Sequence, residues 1–187
     1  MTPEPIRLED GRLPARPTDL HAFLADLGLD AVTHSHAPVF TVEEAQESKG
    51  DLPGAHTKNL FLRDKKGSMW LVVALAEREV DLLSLGRKLG TSGRLSFGSA
   101  DRMARFLGLT PGAVSPFGLI NDHSGAVRVA LDLGLRDQEI WNAHPLTNDQ
   151  TTALPTGDML RFLAAVNHEP VWVDLSGSDE GEGGVGG

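Results

Sequence analysis

Lys58 opens the apolar run Asn59-Leu60-Phe61-Leu62, and a second run, Met69-Trp70-Leu71-Val72-Val73-Ala74-Leu75, follows closely. A lysine at the mouth of a buried strand either snorkels to water or does chemistry. Three other segments share a texture with this one: His36-Ala37-Pro38-Val39-Phe40-Thr41, Gly112-Ala113-Val114-Ser115-Pro116 and Asn142-Ala143-His144-Pro145-Leu146. Each is an apolar stretch broken by a polar group and a turn-forming Gly or Pro, as a pocket wall would be. Together they offer Lys, His, Ser, Asn and Gly, without an obvious strong nucleophile. That set suits a reaction in which water or a substrate hydroxyl attacks, while the protein supplies placement and charge stabilisation.

Other chemistries are excluded by what is missing. The 187 residues contain no cysteine, so there is no disulfide, thiolate nucleophile or Cys-ligated metal. No G-x-G-x-x-G follows a strand, and Walker A, H-E-x-x-H and G-x-S-x-G patterns are absent. Gly86-Arg87-Lys88-Leu89-Gly90 lacks phosphate-loop spacing, and His34 and His36 have no third ligand nearby. No metal and no cofactor are therefore expected. The net charge of −9 argues against wholesale nucleic-acid binding. The charge is unevenly spread, however: residues 58–105 hold 10 Lys/Arg against 5 Asp/Glu, and the remainder 7 against 21. A basic region on an acidic protein can meet phosphate, and a solvated surface explains it equally well. No apolar run reaches membrane-spanning length, and Met1 to Arg7 lacks a signal-peptide stretch, so a cytoplasmic protein without a membrane partner is expected.

The elements that must position these residues can be read from caps and periodicity. Thr18 is the expected N-cap of a helix over Asp19 to Leu27, stopped by Gly28. Ala31 to His36 reads as a strand. Thr41 and Glu44 form a capping-box pattern for a helix to about Glu47. Asn59 to Arg63 and Met69 to Ala76 read as strands joined by a hairpin at Asp64-Lys65-Lys66-Gly67. Helices are expected over Glu79 to Leu89 and from the Ser99 cap to Leu107. Strands follow at Val127 to Asp132 and Glu139 to Asn142. A last helix opens at Thr156 or Asp158, and a last strand covers Val171 to Asp174. The expected architecture is α/β in the α+β sense: a mixed, largely antiparallel curved sheet surrounded by helices. The domain is expected over residues 18–175, between a flexible segment at 1–17 and a disordered Gly- and acid-rich tail at 176–187.

The ordered array His36-x-Pro38, Thr41-x-x-Glu44-Ala45, Lys58-Asn59-Leu60-Phe61-Leu62, Gly112-x-x-Ser115-Pro116-Phe117 and His144-Pro145-Leu146-x-Asn148 resembles the YbaK/prolyl-tRNA-synthetase-associated editing family. The resemblance covers about Leu20 to Asp174 and is nearest the freestanding type that deacylates alanyl-tRNA(Pro). It implies a compact α/β domain without metal that hydrolyses the ester joining a wrong amino acid to the tRNA 3′ adenosine. The partner it implies is the acceptor end of tRNA(Pro), with prolyl-tRNA synthetase as a further possibility.

By this resemblance the family's essential lysine falls on Lys58, with Asn59 beside it. Its G-x-x-x-P loop falls on Gly112 to Pro116, and its pocket histidine on His144. Lys58 could hold the terminal adenosine or its phosphate, or stabilise the developing oxyanion. Backbone N–H groups of Gly112 to Ser115 could point at an anionic oxygen, with Ser115 either binding substrate or capping the turn. His144 could orient water or the 2′-hydroxyl, or simply pack beside Pro145. His36, Pro38, Val39, Phe40 and Pro116 are the expected substrate contacts, with Val39 and Phe40 walling a pocket that admits alanine and rejects proline. Arg87, Lys88 and Arg94 are the expected tRNA contacts, or else a solvated helix end and loop. Two alternatives stay open: a cysteinyl-tRNA(Pro) deacylase of the YbaK type, and a non-catalytic module binding an aminoacyl or nucleotide ligand.

Overall fold

Leu71, Val72, Val73 and Ala74 are fully buried because they form the middle of a strand covered on both faces. In this computed structural model, which describes residues 5–38, 44 and 52–177, that strand lies at the heart of the sheet. The helices are α1 (Pro17–Asp26), α2 (Leu82–Leu89), α3 (Ala100–Leu107) and α4 (Thr156–Ala165). The strands are β1 (Val32–Ser35), β2 (Ala55–Arg63), β3 (Met69–Leu75), β4 (Ser96–Phe97), β5 (Val127–Asp132), β6 (Ile140–Ala143), β7 (Gln150–Pro155) and β8 (Val171–Val173).

The sheet order is β1-β7-β6-β2-β3-β5-β8, with β4 also pairing β2. It is mixed, as expected: four pairings are antiparallel and three are parallel. Alternation divides the side chains between two cores. Phe61, Leu71, Val73 and Val129 face α1, α3 and α4 through Leu20, Leu24, Leu107 and Phe162. Leu62, Trp70, Val72 and Ala74 face α2 through Leu85, joined by Leu95.

Several boundaries differ from the sequence reading. The first helix starts at Pro17, not after Thr18: Pro needs no N–H partner at the first helical position, and the Arg16 N–H donates to Asp19 Oδ2 at 2.9 Å. The second starts at Leu82, because Asp81 accepts from the Ser84 N–H at 2.8 Å. Ser99 caps α3 as expected. The expected flexible segment is corrected over residues 5–16. Leu8 is buried, the Glu9 N–H donates to Arg105 O at 2.8 Å, and the Ala15 N–H donates to Asn121 Oδ1 at 2.8 Å. The Thr41 cap, the body of its expected helix and tail residues 178–187 lie outside the described residues.

Two buried carboxylates fix the connections. Asp64 accepts from the N–H groups of Lys66, Ser68 and Ser92, binding the β2–β3 turn to the loop before β4. Asp122 accepts from the Val127 N–H at 2.8 Å and lies 2.9 Å from His168 Nε2. Burial pushes the Asp122 carboxyl upward, but these bonds outweigh it and hold it below the usual carboxylate range. Among the described residues no helix is long and apolar enough to cross a membrane.

Candidate active site

Lys58 lies where one edge of β2 is interrupted. On that edge β6 pairs Ala55 and His56 in parallel, and β4 pairs Leu62 and Arg63 antiparallel. Between them, residues 58–60 have no strand partner on that side among the described residues. The Gly98 N–H donates to Phe61 O, so the main chain of Phe61 points to the interrupted edge. The Ala76 N–H donates to His56 O, so even-numbered residues of β2 point to β3. By alternation, the N–H and C=O of Asn59 face the gap. The Asn59 side chain turns to the larger core, where its Oδ1 is buried without a partner. Lys58 is half-buried on the opposite face, paired with Ala74, and its ammonium has no hydrogen-bond or ion-pair partner among the described residues.

The strands beside the gap bring two histidines together. The parallel register sets His56 beside Asn142, and His144 follows β6 by one residue at the start of the connection to β7. His144 Nδ1 lies 2.9 Å from Gln150 O. A carbonyl only accepts, so Nδ1 carries the proton and Nε2 is a bare acceptor in the neutral ring. Burial lowers the His144 pKa, the Gln150 carbonyl partly opposes this, and nearby His36 lowers it further. The ring centroids of His36 and His144 are 6.2 Å apart. His36 is held at both nitrogens, by Ala37 O at 2.8 Å and Thr151 Oγ1 at 2.9 Å.

The glycine loop packs against the connection that carries His144. A methyl group added at Gly112 would lie 3.7 Å from Asn148 Nδ2. Not every expected role of this loop survives. Ser115 has no exposed surface, and its Oγ accepts from the Phe117 N–H at 3.1 Å, so it holds the loop's shape. Pro116 is buried behind it as the first residue of a short 3₁₀ turn. The Ala113 N–H is consumed by Thr110 O and cannot serve an anion.

The remaining expected residues are scattered. Pro38 is exposed next to His36, while Val39 and Phe40 lie outside the described residues. Lys88 Nζ donates to Asp174 O at 2.8 Å, in a depression lined by Glu77, Glu79 and Asp81 and by Arg78, which is paired with Asp132. Arg87 is exposed in the last turn of α2, and Arg94 is exposed before β4. Thr151 escaped the sequence reading because β7 did. The β-branched pair Thr151-Thr152 was the available signal, masked by the flanking turn-like Asn148-Asp149 and Pro155.

Residues 36–162 match the family model described as the aminoacyl-tRNA editing domain. The chain belongs to this editing family. The editing domain is an aminoacyl-tRNA deacylase, so this protein is an ester hydrolase whose substrate is an acylated tRNA. Curated relatives agree. The prolyl-tRNA editing protein ProX of Acetoanaerobium sticklandii is 39% identical over 145 residues, covering 77% of this chain and 88% of that protein. The mouse prolyl-tRNA synthetase associated domain-containing protein 1 is 37% identical over 157 residues, covering 82% and 92%. A solved structure described as a candidate trans-editing enzyme for prolyl tRNA synthetase shares the editing-domain fold. Its TM-score is 0.65 at 19% identity, over 88% of this chain and 99% of that one.

Proposed function

We propose that this editing domain is a free-standing deacylase of mischarged tRNA(Pro), and that alanine is the amino acid it removes. The reading is carried by the Lys58 ammonium and the outward N–H of Asn59 at the gap in β2, with the bare Nε2 of His144 one residue past the end of neighbouring β6. The similarity to a prolyl-tRNA editing protein and to prolyl-tRNA synthetase associated proteins supports the proline-specific tRNA.

An aminoacyl ester is already activated, so the site needs no covalent nucleophile. Water attacks the ester carbonyl carbon, directly or through the ribose 2′-hydroxyl, and its proton passes to His144 Nε2. The negative charge on the carbonyl oxygen meets the Asn59 N–H and the Lys58 ammonium. The carbon–oxygen bond to the ribose then breaks, and His144 returns the proton to the leaving oxygen. His36 and Ser115 act behind this set: His36 beside the His144 ring, Ser115 in the fold of the glycine loop. Prolyl-tRNA synthetase is the natural partner in this reading, as the source of the mischarged substrate.

The test is release of labelled amino acid from Ala-tRNA(Pro), Cys-tRNA(Pro), Pro-tRNA(Pro) and Ala-tRNA(Ala). Wild type should clear only the first quickly. Lys58→Ala should lose at least about 10²-fold in rate, and His144→Ala about 10²–10⁴-fold. Preferential loss of cysteine would replace alanine as the substrate. No hydrolysis of any of the four would overturn the reading and leave a binding module.

A further inference from the structure

Phe97 is the most exposed large apolar side chain among the described residues, at 65%. It is held there by construction. Its Cα pairs with Leu62, and the adjacent Gly98 lies so close to β2 that a methyl group there would stand 2.5 Å from the Phe61 ring. Directly opposed residues of an antiparallel pair share a face, so Phe97 lies on the face of Leu62, Leu60 and Lys58. Four residue steps along β2 lead from Lys58 to Leu62, or about 13 Å. Phe97 thus borders the far end of the gap that holds Lys58.

The charge around it is one-sided. Lys65 packs on Gly93 and Arg94 precedes the strand, while Arg63, paired with Ser96, projects from the opposite face. Among the described residues none of these three cations has an ion-pair partner. Of the neighbouring carboxylates, Asp64 is buried and spent on backbone N–H groups, and Asp101 is paired with Arg105 at 3.6 Å. An exposed aromatic ring among unpaired cations is the chemistry that binds single-stranded nucleic acid, by base stacking beside a neutralised backbone.

We propose that Phe97 is the stacking platform for the single-stranded 3′ nucleotides that precede the terminal adenosine of the tRNA, with Lys65 and Arg94 meeting their phosphates. This rests on an acylated tRNA as the substrate and assigns the path by which its 3′ end reaches Lys58.

The test uses the full chain and an unacylated RNA hairpin ending in single-stranded CCA, beside the same hairpin without the overhang. Phe97→Ala should weaken binding of the overhang hairpin by about 5- to 150-fold, raise KM for aminoacyl-tRNA with kcat unchanged, and leave the blunt hairpin unaffected. Phe97→Trp should restore the loss and Phe97→Leu should not, because the contact needs a ring. Unchanged overhang binding in Phe97→Ala, equal loss for both hairpins, or full rescue by Leu would each overturn the proposal. If wild type deacylates no tRNA yet binds the overhang through Phe97, the hydrolytic reading fails and the stacking surface stands.

Discussion

At the scale of single residues, the chemistry of the site depends on which nitrogen of His144 keeps its proton. The Gln150 carbonyl fixes the proton on Nδ1 and leaves Nε2 open. Burial and His36 hold the pKa below the ordinary histidine value of about 6.5. The neutral ring therefore prevails at neutral pH, and the acid limb of the kcat/KM profile should lie below that value. In stability the sign is the same. The unfolded ring binds its proton more readily, so the contribution is complete above the ordinary value and is lost as pH falls through the lowered one. His36→Gln removes a source of positive charge beside the ring and should move the acid limb upward, as read from a pH–rate profile. An unmoved limb would show that His36 does not tune His144. Residue types alone did not reveal this arrangement. Lys58 and His144 were legible as chemistry-bearing, but Thr151 and the tautomer lie in tertiary hydrogen bonds, and the two roles left open for Ser115 could not be separated because a buried turn cap and an exposed hydroxyl look identical in sequence.

At the scale of elements, β2 decides the site by holding two partners on one edge. Its short partner β4 reaches that edge only because Gly98 has no side chain to strike Phe61. Gly98→Ala should cost about 1–3 kcal/mol, since Phe61 is core-bound and cannot yield freely. A fall in the urea midpoint at constant slope would measure it, and an unchanged midpoint would mean that β4 shifts without cost. The long apolar strands and the Ser99 cap were readable from pattern. The parallel pairings of β2 with β6 and of β3 with β5 were not, because periodicity gives a strand its faces and not its neighbours. The short strand expected at Glu139 to Asn142 is β6, but two-residue β4 is too short to announce itself, and the two frame the gap.

At the scale of the whole molecule, an acidic chain acts on an acidic substrate by gathering its positive charge. The excess over residues 58–105 was visible in the sequence, but its focus was not. Folding ties Lys88 to Asp174 and gathers Arg63, Lys65 and Arg94 around β4. The interrupted edge of β2 also has a dynamic signature. Protection of amide protons in a strand normally rises toward its middle, as its ends fray. Here the middle should be notched. The Lys58 and Leu60 amides are bonded to β3, while that of Asn59 faces the gap. In a native-state hydrogen–deuterium exchange series Asn59 should lose its proton well before both neighbours, and regain protection when a non-hydrolysable aminoacyl-adenosine fills the gap. The residue that exchanges first in an otherwise slow strand would then be the one reserved for substrate.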